Sequence, residues 1–299
     1  MNLTLSQYQS EIALLEPFVK NADKLSDQQE QAIVSELLDK LNSVTKQLGV
    51  DEHAAFTAQE QRKLLRAALN VIPADTLSSA STTKLNRLLQ SELLKKEIAR
   101  SEELAAVPFF TLGSTKVVLW QGDITQLEVD AIVNAANSQM LGCFQPLHAC
   151  IDNAIHSSAG VQLRDDCDKI IKMQGQLEET GSAKVTRAYN LPSKFVLHTV
   201  GPIVNGQLTE SHEKALSSSY RSCLDICKEV DPVRSIAFCA ISTGVFGYPI
   251  ESATKTALES VTQWLKQNPD SLDVVVFNVF SKRDHQIYQE IMEEFVCQL

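Results

Sequence analysis

From residue 105 to the end of the chain, short β-branched or apolar runs alternate with stretches that carry helical periodicity. KVVLW (116–120), DAIVNA (130–135), AKVTRAY (183–189), FVLHTVG (195–201), RSIAFCAI (234–241) and DVVVFNVF (273–280) read as strands. Helical patterns cover 151–173, 211–229, 251–267 and 284–297. Such alternation leaves few architectures open: helices lie on both faces of a sheet and bury its apolar strands. The expectation is an α/β fold, a mixed central sheet flanked by helices. Ligands of these sheets collect beyond the carboxyl ends of the strands, and the polar motifs of this chain fall there.

The first third reads differently. TLSQYQSEIALLEPFVK (4–20), QEQAIVSELLDKLNSVTKQL (29–48), AQEQRKLLRAALNVI (58–72) and TTKLNRLLQSELLKKEIARSEE (82–103) all place apolar residues at helical spacing, and no strand pattern occurs. Ser26 with Gln29 forms a capping box, Gly49 and Pro73 stop two of the helices, and Glu92 with Lys96 makes an i,i+4 pair. Residues 1–104 are expected to form an all-α domain packed on an α/β domain of residues 105–299. The role of the helical part, whether guiding a substrate, capping a site or stabilising, is not legible. Its leucine stripes belong to a core rather than to a cofactor site.

Bulk properties exclude several classes. The net charge of −10 and the lack of a basic stripe argue against nucleic acid as a partner, and leave any phosphate binding to backbone amides and helix ends. No apolar run approaches the ~20 residues of a membrane span, and the N-terminus lacks the pattern of a secretory signal. Seven cysteines, an odd number without a framework spacing, read as reduced thiols. A cytoplasmic enzyme is the expectation.

Chemistry concentrates in residues 134–160, NAANSQMLGCFQPLHACIDNAIHSSAG. Cys143, His148 and Cys150 follow a C-x4-H-x-C spacing that can close on one metal, with Gly142 and Pro146 to shape the turn. Two thiolates and an imidazole are a soft set that favours zinc, and three protein ligands leave a catalytic position open. On spacing alone the same residues could be two buried thiols and a loop histidine. Asp152 and His156 lie four apart on the opening turns of a helix, so both can face one cleft. His156 is equally readable as a packing residue.

Four motifs, GDIT (122–125), NAAN (134–137), TGSAKVTRAYNLPSKFVLHTVGP (180–202) and STGVFGYP (242–249), occur in that order after strand-like runs. Together they resemble the macrodomain family, which binds ADP-ribose, over roughly residues 105–297. IDNAIHSSAG (151–160) is similar to the catalytic-loop helix of MacroD-type ADP-ribosyl hydrolases. Where those enzymes carry a glycine-rich stretch, this chain has CFQPLHAC, which resembles the zinc-containing macrodomains. These form a microbial subfamily of protein-ADP-ribose hydrolases, sometimes encoded beside a sirtuin.

The resemblance implies a zinc ion held by Cys143, His148 and Cys150, and mono-ADP-ribosylated protein as substrate, modified on acidic side chains. A sirtuin-type transferase system would be its partner. It implies adenine contacts from the Asp123 carboxylate and the Ile124 amide, with Phe280 stacking on the base unless it packs in the core. Asp123 could otherwise simply cap the following short helix. The amides of Ser242, Thr243, Gly244, Val245, Phe246 and Gly247 would cradle the pyrophosphate, with Phe246 covering the distal ribose. Asn137 would hold the ribose hydroxyls and Asn134 pin the loop backbone. Cys150, Ile151 and Asp152 would border the ribose, with Asp152 acting through water. His198 and the remaining cysteines, Cys167, Cys223, Cys227, Cys239 and Cys297, are expected to be structural. Two other functions fit the same motifs: a non-enzymatic ADP-ribose reader, and an O-acetyl-ADP-ribose deacetylase.

Overall fold

The structure is a computed structural model that describes residues 2–20, 23–52 and 55–299. Seven strands form the main sheet: β1 (Phe110–Leu112), β2 (Thr115–Gln121), β3 (Ala131–Ala136), β4 (Ala183–Arg187), β5 (Phe195–Val200), β6 (Ser235–Phe238) and β7 (Val274–Val279). Their order is β1-β2-β7-β6-β3-β5-β4. The five central strands run parallel, and β1 and β4 close the edges antiparallel. All six expected strands are present; four are shorter than their apolar runs, Ala131–Ala136 is shifted by one residue, and Thr115–Gln121 extends one residue beyond its run at each end. β1 is the addition; its three residues are too few for a periodic signal.

The sheet is covered by α4 (Ile151–Ala159), α5 (Val161–Gln174), α6 (Glu210–Glu229), α7 (Ile250–Gln267) and α8 (Lys282–Val296). The helix expected over 151–173 is two helices. Gly160, at φ +96°, breaks it, and a Cβ there would come within 3.2 Å of Leu89. The central strands are buried on both faces, which is why they read as continuous apolar runs. Val117, Ile132, Val133, Val196, Ile236 and Val275 are all fully buried.

Before the sheet stand α1 (Asp27–Lys40), α2 (Ala58–Val71) and α3 (Ser79–Leu93), which share their own apolar cluster centred on Leu38, Leu65, Leu85 and Leu88. The Ser26 capping box forms as expected. Three expectations fail here. Residues 4–20 are helical only over Leu5–Tyr8; Leu5, Tyr8, Ile12 and Leu14 instead pack irregularly into the sheet core, and Tyr8 accepts a hydrogen bond from the Val185 amide of edge strand β4 (2.9 Å). The helix over 29–48 breaks at Leu41 into α1 and a short helix Asn42–Gln47. α3 ends at Leu93, so Lys96 lies beyond it and Glu92 pairs instead with Arg62 of α2 (2.5 Å). A two-residue strand, Ala99–Arg100, pairs with Leu127–Glu128. Among the described residues no helix is long and apolar enough to cross a membrane.

Candidate functional site

Beyond the carboxyl ends of β3, β6 and β7 lies a cleft of about 440 Å³. Its walls bring together most of the expected site residues: Asn137, Cys143, His148, Cys150, Ile151, Asp152, the loop 242–246, and Phe280. Asp123 and Asn134 do not line it, and Ile124 has its side chain in the core.

The three candidate ligands converge. One atom from each of Cys143, His148 and Cys150 lies within 4.8 Å of the others. His148 Nδ1 is buried without a hydrogen-bond partner. An orphaned imidazole nitrogen on a ring grouped with two thiols fits a thiophilic cation, because an unpaired buried polar atom is otherwise costly. Cys150 is also the N-cap of α4, its Sγ accepting from the Asn153 amide at 3.4 Å. Burial first, then the charge of neighbouring Cys143, pushes the Cys150 thiol up to about 11. Holding the Cys150 sulfur as a thiolate therefore requires a positive charge beside it.

Asp152 follows in the first turn of α4 and is buried. Burial raises its carboxyl to about 6, against the opposing hydrogen bond from Asn134 and the charge of Arg164. Oδ1 accepts from Asn134 Nδ2 at 2.8 Å; Oδ2 is buried and free of partners. His156 Nε2 stands 3.5 Å from Asp152 Oδ1, with no hydrogen bond to it. Burial holds this imidazole well below the usual histidine range, so the contact is not an ion pair.

Of the two asparagines of NAAN, Asn134 does not pin the loop backbone as expected. Asn134 is fully buried and reaches Asp152 rather than the loop backbone. Asn137, at the cleft wall, pins the loop: its Nδ2 donates to the Gly142 carbonyl (2.9 Å) and its Oδ1 accepts from the Gln139 amide (2.9 Å). Strand alternation turns Asn134 inward beside His198, its register partner on β5. His198 Nδ1 lies 3.2 Å from Asn134 Nδ2, and its Nε2 lies 3.0 Å from Thr186 Oγ1. An amide nitrogen can only donate, so Nδ1 accepts and the ring proton sits on Nε2.

The loop after β6 turns on Ser242, which has a left-handed φ of +66°. The amides of Thr243 and Gly247 are used inside the turn, bonding the carbonyls of Ala240 (3.4 Å) and Gly244 (3.0 Å). Those of Gly244, Val245 and Phe246 make no bond within the described residues, which leaves three adjacent donors open to an anion. Gly201 makes room for this turn: a Cβ there would come within 2.1 Å of Ser242 Oγ. Phe280 is 78% exposed and Val245 76% exposed at the cleft wall, so Phe280 is not a core residue.

Asp123 caps a short 3-10 turn, its Oδ1 accepting from the Thr125 amide (3.0 Å) and hydroxyl (2.8 Å). It opens on a second cleft, between α2, α3 and α4, that also contains Arg62 and Arg66. Sequence reasoning missed Asn278, Asp284 and Gln145, which also line the first cleft. Asn278 had a signal, as the one polar residue within VVVFNVF. All seven cysteines are free thiols; Cys167, Cys223, Cys227 and Cys239 are buried.

Residues 133–257 match the family described as Macro domain. A protein-ADP-ribose hydrolase of Treponema medium is 48% identical over 233 residues, spanning 78% of this chain and 88% of that one. A protein-ADP-ribose hydrolase of Staphylococcus aureus (strain MRSA252) is 42% identical over 229 residues, 76% of this chain and 83% of that one. Among solved structures, a Trypanosoma brucei macrodomain in complex with ADP-ribose is similar with a TM-score of 0.58 and 30% identity, covering 74% of this chain and 92% of that chain.

Proposed function

The chain belongs to the Macro domain family and is a hydrolase, and from that premise we propose that it removes mono-ADP-ribose from acidic side chains of proteins with the help of one zinc ion. The observation that carries the reading is the meeting, in one cleft, of the Cys143–His148–Cys150 set, a buried carboxylate with a free oxygen on Asp152, and three open amides at 244–246. The kinship with protein-ADP-ribose hydrolases supports it.

Each part has a task. The amides of Gly244, Val245 and Phe246 receive the pyrophosphate without a cationic side chain. Phe280 offers an exposed ring on which adenine stacks. Asp123 lies outside this cleft; where the adenine end of the ligand reaches past the cleft wall, Asp123 Oδ2 would take the adenine amine, its Oδ1 being committed to its turn, and the Ile124 amide would meet a ring nitrogen. Asn137 holds the loop against the distal ribose. Asp152 Oδ2 takes the proton of the attacking water as the bond from the anomeric carbon to the departing carboxylate breaks. Asn134 keeps that carboxylate aimed. Cys143, His148 and Cys150 would hold a zinc ion, and when bound it would supply Lewis acidity to the reaction.

Within this reading, residues 1–104 are a helical domain and residues 105–299 the catalytic one. The separate apolar cluster of α1–α3 supports that division, although the segment before residue 20 packs with the sheet. The test follows release of ADP-ribose from an automodified protein, with and without a chelator. Release that the chelator suppresses is expected. Tight binding of ADP-ribose with no release from aspartate-, glutamate- or serine-linked substrates would leave a reader instead.

A further inference from the structure

The loop that carries the candidate ligands is backbone-strained, and its supports come from the helical third of the chain. Met140, Gly142, Phe144 and Leu147 have φ of +61°, +86°, +49° and +57°. Side-chain-bearing residues hold this conformation only where their surroundings over-determine it.

Two anchors do so, both at the C-terminal end of α2. Asn70 is buried; its Oδ1 accepts from the Leu147 amide at 3.0 Å, next to His148, and its Nδ2 donates to Ser157 Oγ of α4 at 3.0 Å. Arg164 of α5, also buried, donates to the carbonyls of Leu69 (3.0 Å), Asn70 (3.0 Å) and Ile72 (2.5 Å), and to the loop carbonyl of Leu141 (2.7 Å). Its guanidinium stands 4.7 Å from the Phe144 ring centre. The last carbonyls of a helix are unsatisfied and carry partial negative charge, so one planar cation joins them to the loop. A third contact adds to these: Arg66 of α2 donates to Asn153 Oδ1 (3.3 Å), and the side-chain Nδ2 of Asn153 donates to Cys143 Sγ (3.5 Å).

We propose that Asn70 and Arg164 are positioning residues for the Cys143–His148–Cys150 set, tying the ligand loop to the end of α2 so that the helical third forms the outer support of the site. The inference rests on the metal reading above. It gives the N-terminal region a task within the chemistry: α2 fixes the spacing of the ligands. Groups that orient metal ligands typically alter affinity by about 10- to 100-fold when removed.

The test measures Zn2+ affinity of the full chain by chelator competition, together with the visible spectrum of the Co2+-loaded protein, in which thiolate ligation gives its own absorption. Asn70→Ala should weaken Zn2+ binding by about 10-fold or more and change the Co2+ spectrum. Asn70→Asp, which keeps the acceptor for the Leu147 amide, should restore most of both. Asn86→Ala is the control: it removes hydrogen bonds by which α3 of the helical third holds Gln162 of α5 and Asn190, none of them to the ligand loop, and should leave metal binding unchanged. If Asn70→Ala does not fold by circular dichroism, Arg164→Lys takes its place, since it retains the charge and loses the planar fork. Equal affinity of Asn70→Ala and wild type overturns the inference and leaves the metal reading intact. Equal weakening by Asn70→Ala and Asn86→Ala overturns it in favour of general loosening. A wild-type protein that binds no zinc overturns the metal reading and this inference with it.

Discussion

Asn134 and His198 face each other across β3 and β5, and the contact fixes what Asn134 can do for Asp152. One amide hydrogen goes to His198 Nδ1 (3.2 Å), the other to Asp152 Oδ1 (2.8 Å). Asn134→Ala should therefore leave Asp152 without its donor. The expected cost is about 1–3 kcal/mol of stability, read by urea unfolding, with a fall in turnover larger than the fall in ADP-ribose affinity. A variant with wild-type stability and turnover would show that Asp152 needs no such aim.

The same histidine sets a pH dependence. Burial lowers His198 to about 3, against about 6.5 unfolded. The native state thus excludes a proton that the unfolded chain takes up. The contribution is full above pH 6.5 and is lost as pH falls below it, by up to about 1.4 kcal/mol per pH unit for one group. His156, also lowered by burial, acts in the same sense. Asp152, raised to about 6, acts oppositely between that value and its unfolded one. Urea midpoints of chelator-treated protein should fall between pH 7 and pH 5, and His198→Gln should flatten the fall. An unchanged slope would contradict the assignment.

Metal content is expected at about one zinc per chain. Cys143→Ala, His148→Ala and Cys150→Ala should each lose most of it by elemental analysis. Full retention in all three would return these residues to ordinary packing.

Asp152→Ala separates chemistry from binding. Hydrolysis should drop on the order of 10²-fold or more, while calorimetric affinity for ADP-ribose changes far less. A fully active variant would move the proton transfer elsewhere.

Gly201→Ala probes the anion loop from behind. The added Cβ would come within 2.1 Å of Ser242 Oγ and 2.7 Å of Ile241 Cγ2. The Ser242 and Ile241 side chains at the base of the turn that presents amides 244–246 must give way, and ADP-ribose affinity should fall about 10-fold or more, the scale of one charge-assisted hydrogen bond. Unchanged affinity would mean that the loop absorbs the strain without moving its donors.

The strands were legible in the sequence because central parallel strands bury both faces and leave continuous apolar runs. The metal-loop trio and the 242–247 turn were legible because cysteine, histidine and glycine carry their chemistry in their identity. What was not legible depends on direction. Which way Asn134 and Asn137 point is decided by pairing with β5 and by a loop whose left-handed residues include Phe144 and Leu147, which give no local signal. The Asn70–Leu147 bond spans 77 residues, and no periodicity reports it. Residues 4–20 failed as a helix for a similar reason: the spacing of Leu5, Tyr8, Ile12 and Leu14 reflects a groove on the sheet domain, not a helical face.

The docking of that segment bears on solubility. β4 is the outermost strand on its side of the sheet, and its outward Val185 amide is satisfied by the hydroxyl of Tyr8. An open strand edge is a template on which a second chain can add. The first residues thus work as an edge guard. A shortened protein beginning after residue 20, a natural choice when trimming a terminus for crystallisation, would bare both this edge and the apolar groove beneath it, and so open a route to self-association.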